Sequence, residues 1–131
     1  PADWYDSVYL STDTQFDISD RFLTTRSAAE NTPLAPGANY TTTQNITIPN
    51  NIGTGSYYLL FITDKHPFLY DYDNRQSETD ETNNIRTIEI NLSAPDLEVT
   101  TATTSTSASL GETIEVSWTV KNQGISEAPA N

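Results

Sequence analysis

Residues 112–122 read ETIEVSWTVKN, and the spacing of their apolar side chains decides the fold class. Ile114, Val116, Trp118 and Val120 occupy every second position, with Thr113, Glu115, Ser117 and Thr119 between them. Successive side chains of a strand point to opposite faces, so this pattern places apolar groups on one face and polar groups on the other. A helix would need its apolar residues three and four positions apart. The stretch therefore predicts a half-buried strand with a wet outer face. The same period returns in RTIEINL (86–92), with Ile88, Ile90 and Leu92 inward, and in YTTTQNITI (40–48), where Tyr40, Thr42, Ile46 and Ile48 share a face. WYDSVYLS (4–11) carries Trp4, Val8 and Leu10 on one side and Tyr5, Ser7 and Tyr9 on the other. SYYLLFITD (56–64) is apolar on both faces, which predicts a central strand covered on both sides. LAPGAN, IPNNIGTGS, ETNN and NQG separate these runs with Pro, Gly and Asn, the residues that reverse a chain. Residues 27–31, SAAEN, leave room for a single helical turn. Six or seven short strands divided by turns predict an all-β protein, an antiparallel β-sandwich of Ig-like type.

The chain of 131 residues is long enough for one core. It holds 18 Asp plus Glu against 6 Lys plus Arg, a net charge of −12. Such a surface repels phosphate backbones and anionic headgroups, which argues against nucleic acid and membrane surfaces as partners. Absence of cysteine excludes disulfides, a thiol nucleophile and zinc–thiolate sites. No apolar run approaches the length of a signal peptide or a membrane span.

Two ends of the chain read alike, Pro1-Ala2-Asp3 and Pro129-Ala130-Asn131, and the strand at Trp4 needs an approach such as NQGISEAPAN supplies. This suggests a repeat of about 128 residues read in a shifted frame. With the frame moved to Pro95, PDLEVTTATTSTSASLGETIEVSWTVKNQG followed by PADWYDSVYLSTD resembles the CARDB family, the cell-adhesion-related domain of bacteria and archaea. The resemblance rests on the Pro-Asp-Leu opening strand, the Val120-Lys121-Asn122-Gln123-Gly124 turn, the aromatic-led strand Trp4–Ser11, the strand in GTGSYYLLFITD and the closing hairpin ETDETNNIRTIEI. The loop DKHPFLYDYDNRQSETDETNN is longer and more acidic than the family pattern. What the resemblance implies is an Ig-like sandwich in tandem arrays on large exported proteins, secreted or at the cell surface of bacteria or archaea. Residues 1–94 would then form the larger part of one repeat and 95–131 the first two strands of the next. Neighbouring repeats of the same chain are the expected partners. Only Ser93-Ala94 or so would separate the two parts, too short a link for 95–131 to fold back, so a swapped homodimer is a further expectation.

Chemistry is sparse. His66 is the single histidine, and its neighbours KHPF resemble no nucleophile elbow. No Gly-rich phosphate loop occurs, and nothing places two carboxylates at a defined separation, so an enzyme is not expected. The carboxylates are clustered, however. Asp3, Asp6, Asp13, Asp17 and Asp20 crowd the start, while Asp64, Asp71, Asp73, Glu78, Asp80 and Glu81 crowd the long loop. Carboxylates beside Asn74, Asn83 and Asn84 are the oxygen ligands that Ca²⁺ takes, six to eight at a time. The spacing is not that of an EF-hand: reading from Asp71, Asp73 fits, but Arg75, Gln76 and Thr82 do not. A calcium site drawn from Asp6, Asp13, Asp17, Asp64, Asp71, Asp73, Glu78, Asp80 and Glu81 would have to be assembled from separate loops. The competing reading is a solvated acidic surface, as in salt-adapted proteins, consistent with two lysines in the chain. Asp6 shares the face of Trp4, Val8 and Leu10 and so needs a cation, an arginine (Arg21, Arg26, Arg75 or Arg86) or amide donors, unless it sits at the wet end of its strand. Phe68 and Tyr70 are apolar groups in a polar loop, read either as a cap on the sandwich or as a contact surface for a glycan or protein ligand. The expectation is a non-catalytic extracellular spacer or adhesion module, with a glycan- or protein-binding accessory module of a secreted enzyme as the alternative.

Overall fold

The computed structural model describes residues 4–64 and 76–130. It is all-β, with antiparallel sheets of four and two strands. Six strands follow in chain order: β1 (Tyr5–Ser11), β2 (Arg21–Ser27), β3 (Gly55–Ile62), β4 (Ile85–Leu92), β5 (Leu97–Thr103) and β6 (Ser117–Asn122), with one 3₁₀ turn at Ala29–Asn31. The chain divides into two compact units, Pro1–Asn91 and Leu92–Asn131.

In the first unit the sheet order is β2-β1-β3-β4. β1 pairs antiparallel with both β2 and β3; in the second register Val8 faces Phe61 and Leu10 faces Leu59. The β1–β2 register shifts after Val8, which pairs with Thr24 while Tyr9 pairs with Phe22, so Leu23 is an extra residue in a bulge. That bulge breaks the period-two pattern of RFLTTRS, which is why β2 is not legible as a strand from its sequence. Tyr9 stacks edge-on against Phe16 and Phe22, at centroid distances of 4.8 and 5.6 Å. Leu10, Ala28, Leu60 and Ile62 are the buried apolar residues, with Ser7 and Ser11 buried beside them. Ser7 donates to Thr25 Oγ1 at 3.0 Å, which satisfies one of these hydroxyls. β3 is central in hydrogen bonding, yet one of its faces is open: Leu60 is fully buried while Phe61 is 39% exposed. The expectation of cover on both sides therefore holds for one side only. On β4, Ile90 and Leu92 are half-buried, whereas Ile88 is exposed.

Residues 40–48 alternate as expected, with Tyr40, Ile46 and Ile48 half-buried, but among the described residues they belong to no hydrogen-bonded ladder. A strand exists only where a neighbour accepts its backbone groups.

The second unit is the antiparallel hairpin β5–β6, registered by Val99↔Val120 and Ala102↔Trp118. The ladder takes up only Ser117–Asn122 of the predicted strand; 112–116 lie outside it. The turn after β6 is built by one side chain. Asn122 Oδ1 accepts from the backbone N–H groups of Asp96 (3.1 Å) and Gly124 (3.0 Å), and its amide donates to the Ser126 carbonyl at 2.8 Å. Gly124 is required by close approach: a Cβ there would lie 2.6 Å from both the Ala94 carbonyl oxygen and the Asp96 nitrogen.

Candidate metal centre and the adjoining cleft

Beyond Ile62 at the end of β3, Thr63 and Asp64 carry the chain out of the sheet. The Thr63 N–H donates to the Asn84 carbonyl at 3.0 Å, tying this corner to the segment that leads into β4. Asp64 adopts φ 57°, a left-handed conformation that Asp tolerates better than most residues, and its side chain is buried. Both of its carboxylate oxygens accept from the Gln76 N–H, at 3.2 and 3.1 Å.

Glu78 and Glu81 approach the same place from the loop preceding β4. One carboxylate oxygen from each of Asp64, Glu78 and Glu81 lies within 4.8 Å of the others. The Asn84 amide donates to Glu78 Oε2 (2.8 Å) and to Glu81 Oε2 (3.4 Å), holding the two glutamates together. Three carboxylates this close repel one another, and a cation placed among them would relieve that repulsion. The triad is thus able to hold a metal ion, one buried oxygen ligand and two exposed ones.

Of the other residues expected to ligate a cation, Asp13, Asp17 and Asp80 are engaged in their own turns. Asp13 Oδ1 accepts from the Gln15 N–H at 2.7 Å. Asp17 Oδ1 accepts from the Ser19 N–H (2.7 Å) and hydroxyl (2.5 Å), and Asp80 Oδ1 from the Thr82 N–H (2.9 Å) and hydroxyl (2.5 Å). The hydroxyl bond first, then the amide bond, holds each of these two carboxyls below the ordinary aspartate pKa. Asp71 and Asp73 lie outside the described residues, as do Phe68, Tyr70 and His66.

Asp6 is placed on the face shared with Val8, as its alternation predicts, and its partners are hydroxyls. Tyr40 donates to Asp6 Oδ2 at 2.7 Å and Thr63 donates to Asp6 Oδ1 at 2.8 Å. The Trp4 indole N–H in turn donates to the Tyr40 oxygen at 3.1 Å. Burial pushes the Tyr40 phenol above its ordinary pKa, opposed by the Trp4 bond and reinforced by the Asp6 carboxylate. Arg26, one of the arginines considered for Asp6, pairs instead with Glu30 at 3.3 Å on the surface. Tyr40 and Thr63 stand 34 and 57 positions from Asp6, so nothing local in the sequence announces the network.

This network floors one side of a cleft of about 870 Å³ on the open face of the four-stranded sheet. Val8 and Phe61 line it from the sheet, Tyr40, Gln44 and Ile46 from the segment after Asn39, and Glu78 from the loop of the acidic triad. Among the described residues no helix is long and apolar enough to cross a membrane. No family model, curated protein or solved structure matches the chain.

Proposed function

We propose that the protein is a non-catalytic extracellular β-sandwich repeat of CARDB type, a spacer or adhesion module stiffened by Ca²⁺ bound at Asp64, Glu78 and Glu81. The observation that carries the calcium part is the convergence of three carboxylate oxygens within 4.8 Å, one of them from a buried aspartate. Oxygen donors without histidine or cysteine suit a hard cation. Three carboxylates binding through one or two oxygens each, with the Asn84 side chain beside them, approach the six to eight oxygens that Ca²⁺ takes. The ion would fix the corner after β3 to the loop before β4 and so stiffen the end of the module. The spacer part is supported by the all-β architecture, by the acidic composition and by the sequence resemblance given above.

Thermal unfolding at fixed high ionic strength tests the calcium site. Binding confined to the folded state adds about 2.7 kcal/mol when free ion is a hundredfold above its dissociation constant. That corresponds to a rise of several degrees in Tm for a domain of this size. The rise is expected with Ca²⁺, absent with Mg²⁺, and lost in the double variant Glu78→Gln, Glu81→Gln, whose side chains are exposed. A wild-type Tm unmoved by millimolar Ca²⁺, or a rise that survives in the double variant, removes the metal from the proposal.

A further inference from the structure

We propose that the cleft on the open face of the four-stranded sheet binds a short neutral oligosaccharide. The inference stands apart from the spacer reading and from its calcium. The cleft of about 870 Å³ is lined wholly by residues of the first unit. That volume lies within the range of about 300–1,000 Å³ that holds small ligands. Its floor is apolar: Val8 and Phe61 are paired across β1 and β3, and Phe61 is 39% exposed. Leu60 and Ile62, on either side of Phe61, are buried, so the covered face of β3 is the opposite one.

The walls are polar. Asn39, Thr42, Gln44, Asn83 and Arg86 line them. Thr24 donates to Gln44 Oε1 at 2.7 Å, which holds that side chain and leaves its NH₂ group without a partner among the described residues. The side chains of Asn83 and Arg86 likewise have no partner among the described residues. An apolar cover would strip water from these groups and give no bond in return. A ligand rich in hydroxyls returns a bond to each, since a hydroxyl both donates and accepts.

Charge narrows the class. The chain holds 18 Asp plus Glu against 6 Lys plus Arg, yet the cleft sets Asp6 and Glu78 against Arg26 and Arg86. Equal numbers favour neither a cation nor an anion. Three aromatic residues, Trp4, Tyr40 and Phe61, complete the lining. A pyranose ring offers apolar C–H faces to aromatic rings and a rim of hydroxyls to amides and a guanidinium, so both kinds of lining meet in one ligand. Two of the aromatics are held before a ligand arrives. The Trp4 indole donates to the Tyr40 oxygen at 3.1 Å, and Tyr40 donates to Asp6 at 2.7 Å. Groups fixed in advance lose little entropy on binding.

An NMR titration of the isotope-labelled full chain, in chelator, provides the test. The probes are cellohexaose, mannohexaose, xylohexaose and maltohexaose. With at least one of them, the Trp4 indole N–H and the amides of 42–44 and 83–86 are expected to shift together and to saturate at millimolar sugar. Gln44→Ala combined with Arg86→Ala removes two exposed donors and is expected to weaken that binding about tenfold. An anionic oligogalacturonate and a cationic chitosan hexamer are each expected to bind about tenfold more weakly than the neutral sugar. The charge series uses the wild type alone, so it decides even where the double variant does not fold. Absence of shifts with all four neutral sugars overturns the inference. So do shifts confined to residues outside the cleft, undiminished binding by the folded double variant, or a charged sugar that binds best. Because chelator is present throughout, a chain that binds no sugar but whose Tm rises with Ca²⁺ would sink the cleft and leave the metal site standing.

Discussion

Tyr40→Phe removes one oxygen and, with it, two hydrogen bonds. The phenol donates to the Asp6 carboxylate at 2.7 Å and accepts from the Trp4 indole at 3.1 Å. Bonds to a charged acceptor contribute about 1.5–3 kcal/mol and neutral ones about 0.5–1.5. All three residues are half-buried, so water replaces part of what is lost, and the expected cost is about 2–3 kcal/mol. Asp6→Asn keeps an oxygen for Tyr40 but removes the charge, and should cost about 1 kcal/mol. If the two groups act on each other, the double variant will lose less than the sum of the singles by about 1–2 kcal/mol. Urea unfolding followed by tryptophan fluorescence and far-ultraviolet dichroism reads all four corners of the cycle. The pH dependence has a definite sign. Because the folded state holds the Tyr40 proton above the ordinary phenol range, its contribution is full below about pH 10 and is lost as pH rises through the folded-state value. Tyr40→Phe should therefore flatten part of the alkaline fall in stability. A single-variant loss under about 0.5 kcal/mol, together with strictly additive singles, would refute the network as a source of stability.

Two further outcomes are expected. Gly124→Ala forces a Cβ to within 2.6 Å of the Ala94 carbonyl and the Asp96 nitrogen, groups that have no free end to swing away. It should cost about 1–3 kcal/mol and strip hydrogen-exchange protection from the Asp96 and Gln123 amides, the latter of which donates to the Asp96 carbonyl at 2.7 Å; unchanged protection would disprove the close approach. Ser19→Ala deletes the largest cause of the lowered Asp17 pKa, so the Asp17 carboxyl, followed by NMR, should titrate closer to the ordinary aspartate value. The sign is that of a depressed acid: its contribution to stability is present above the ordinary aspartate pKa and is lost as pH falls through the folded-state value. An unmoved titration would show that the hydroxyl bond is not formed in solution.

The strands that sequence makes legible are those whose alternation is unbroken. The runs beginning at Trp4, Ser56 and Arg86 became β1, β3 and β4, with shifts of one or two residues at their ends. β2 was hidden because its bulge at Leu23 puts two apolar residues side by side and leaves threonines where a core face should continue. At the acidic corner, composition gives the candidates but not the grouping. Asp64, Glu78 and Glu81 stand among nine plausible ligands, and what selects them is a left-handed residue after β3 and the amide of Asn84 between two glutamates. Neither is encoded by a spacing. For Asp6 the pattern gives the face and the need for a partner, while the partner itself arrives from a distant turn of chain as a hydroxyl and not as a cation.

Residues 40–48 and 112–116 present the opposite case: the alternation is clear, and among the described residues no ladder takes them up. Side-chain period reports which face of a segment seeks an apolar neighbour, whereas a ladder requires a second backbone alongside. The two quantities separate wherever a strand's partner is not supplied. Both segments share that signature, but their charge differs: positions 31–63 hold no charged residue, whereas 112–116 carry Glu112 and Glu115. Tyr40, Thr42, Gln44 and Ile46 line the cleft of the first unit, and 112–116 lead into β6 of the second. The same physics that makes ETIEVSWTVKN readable as a strand leaves its neighbour unreadable, because period belongs to one segment and pairing to two.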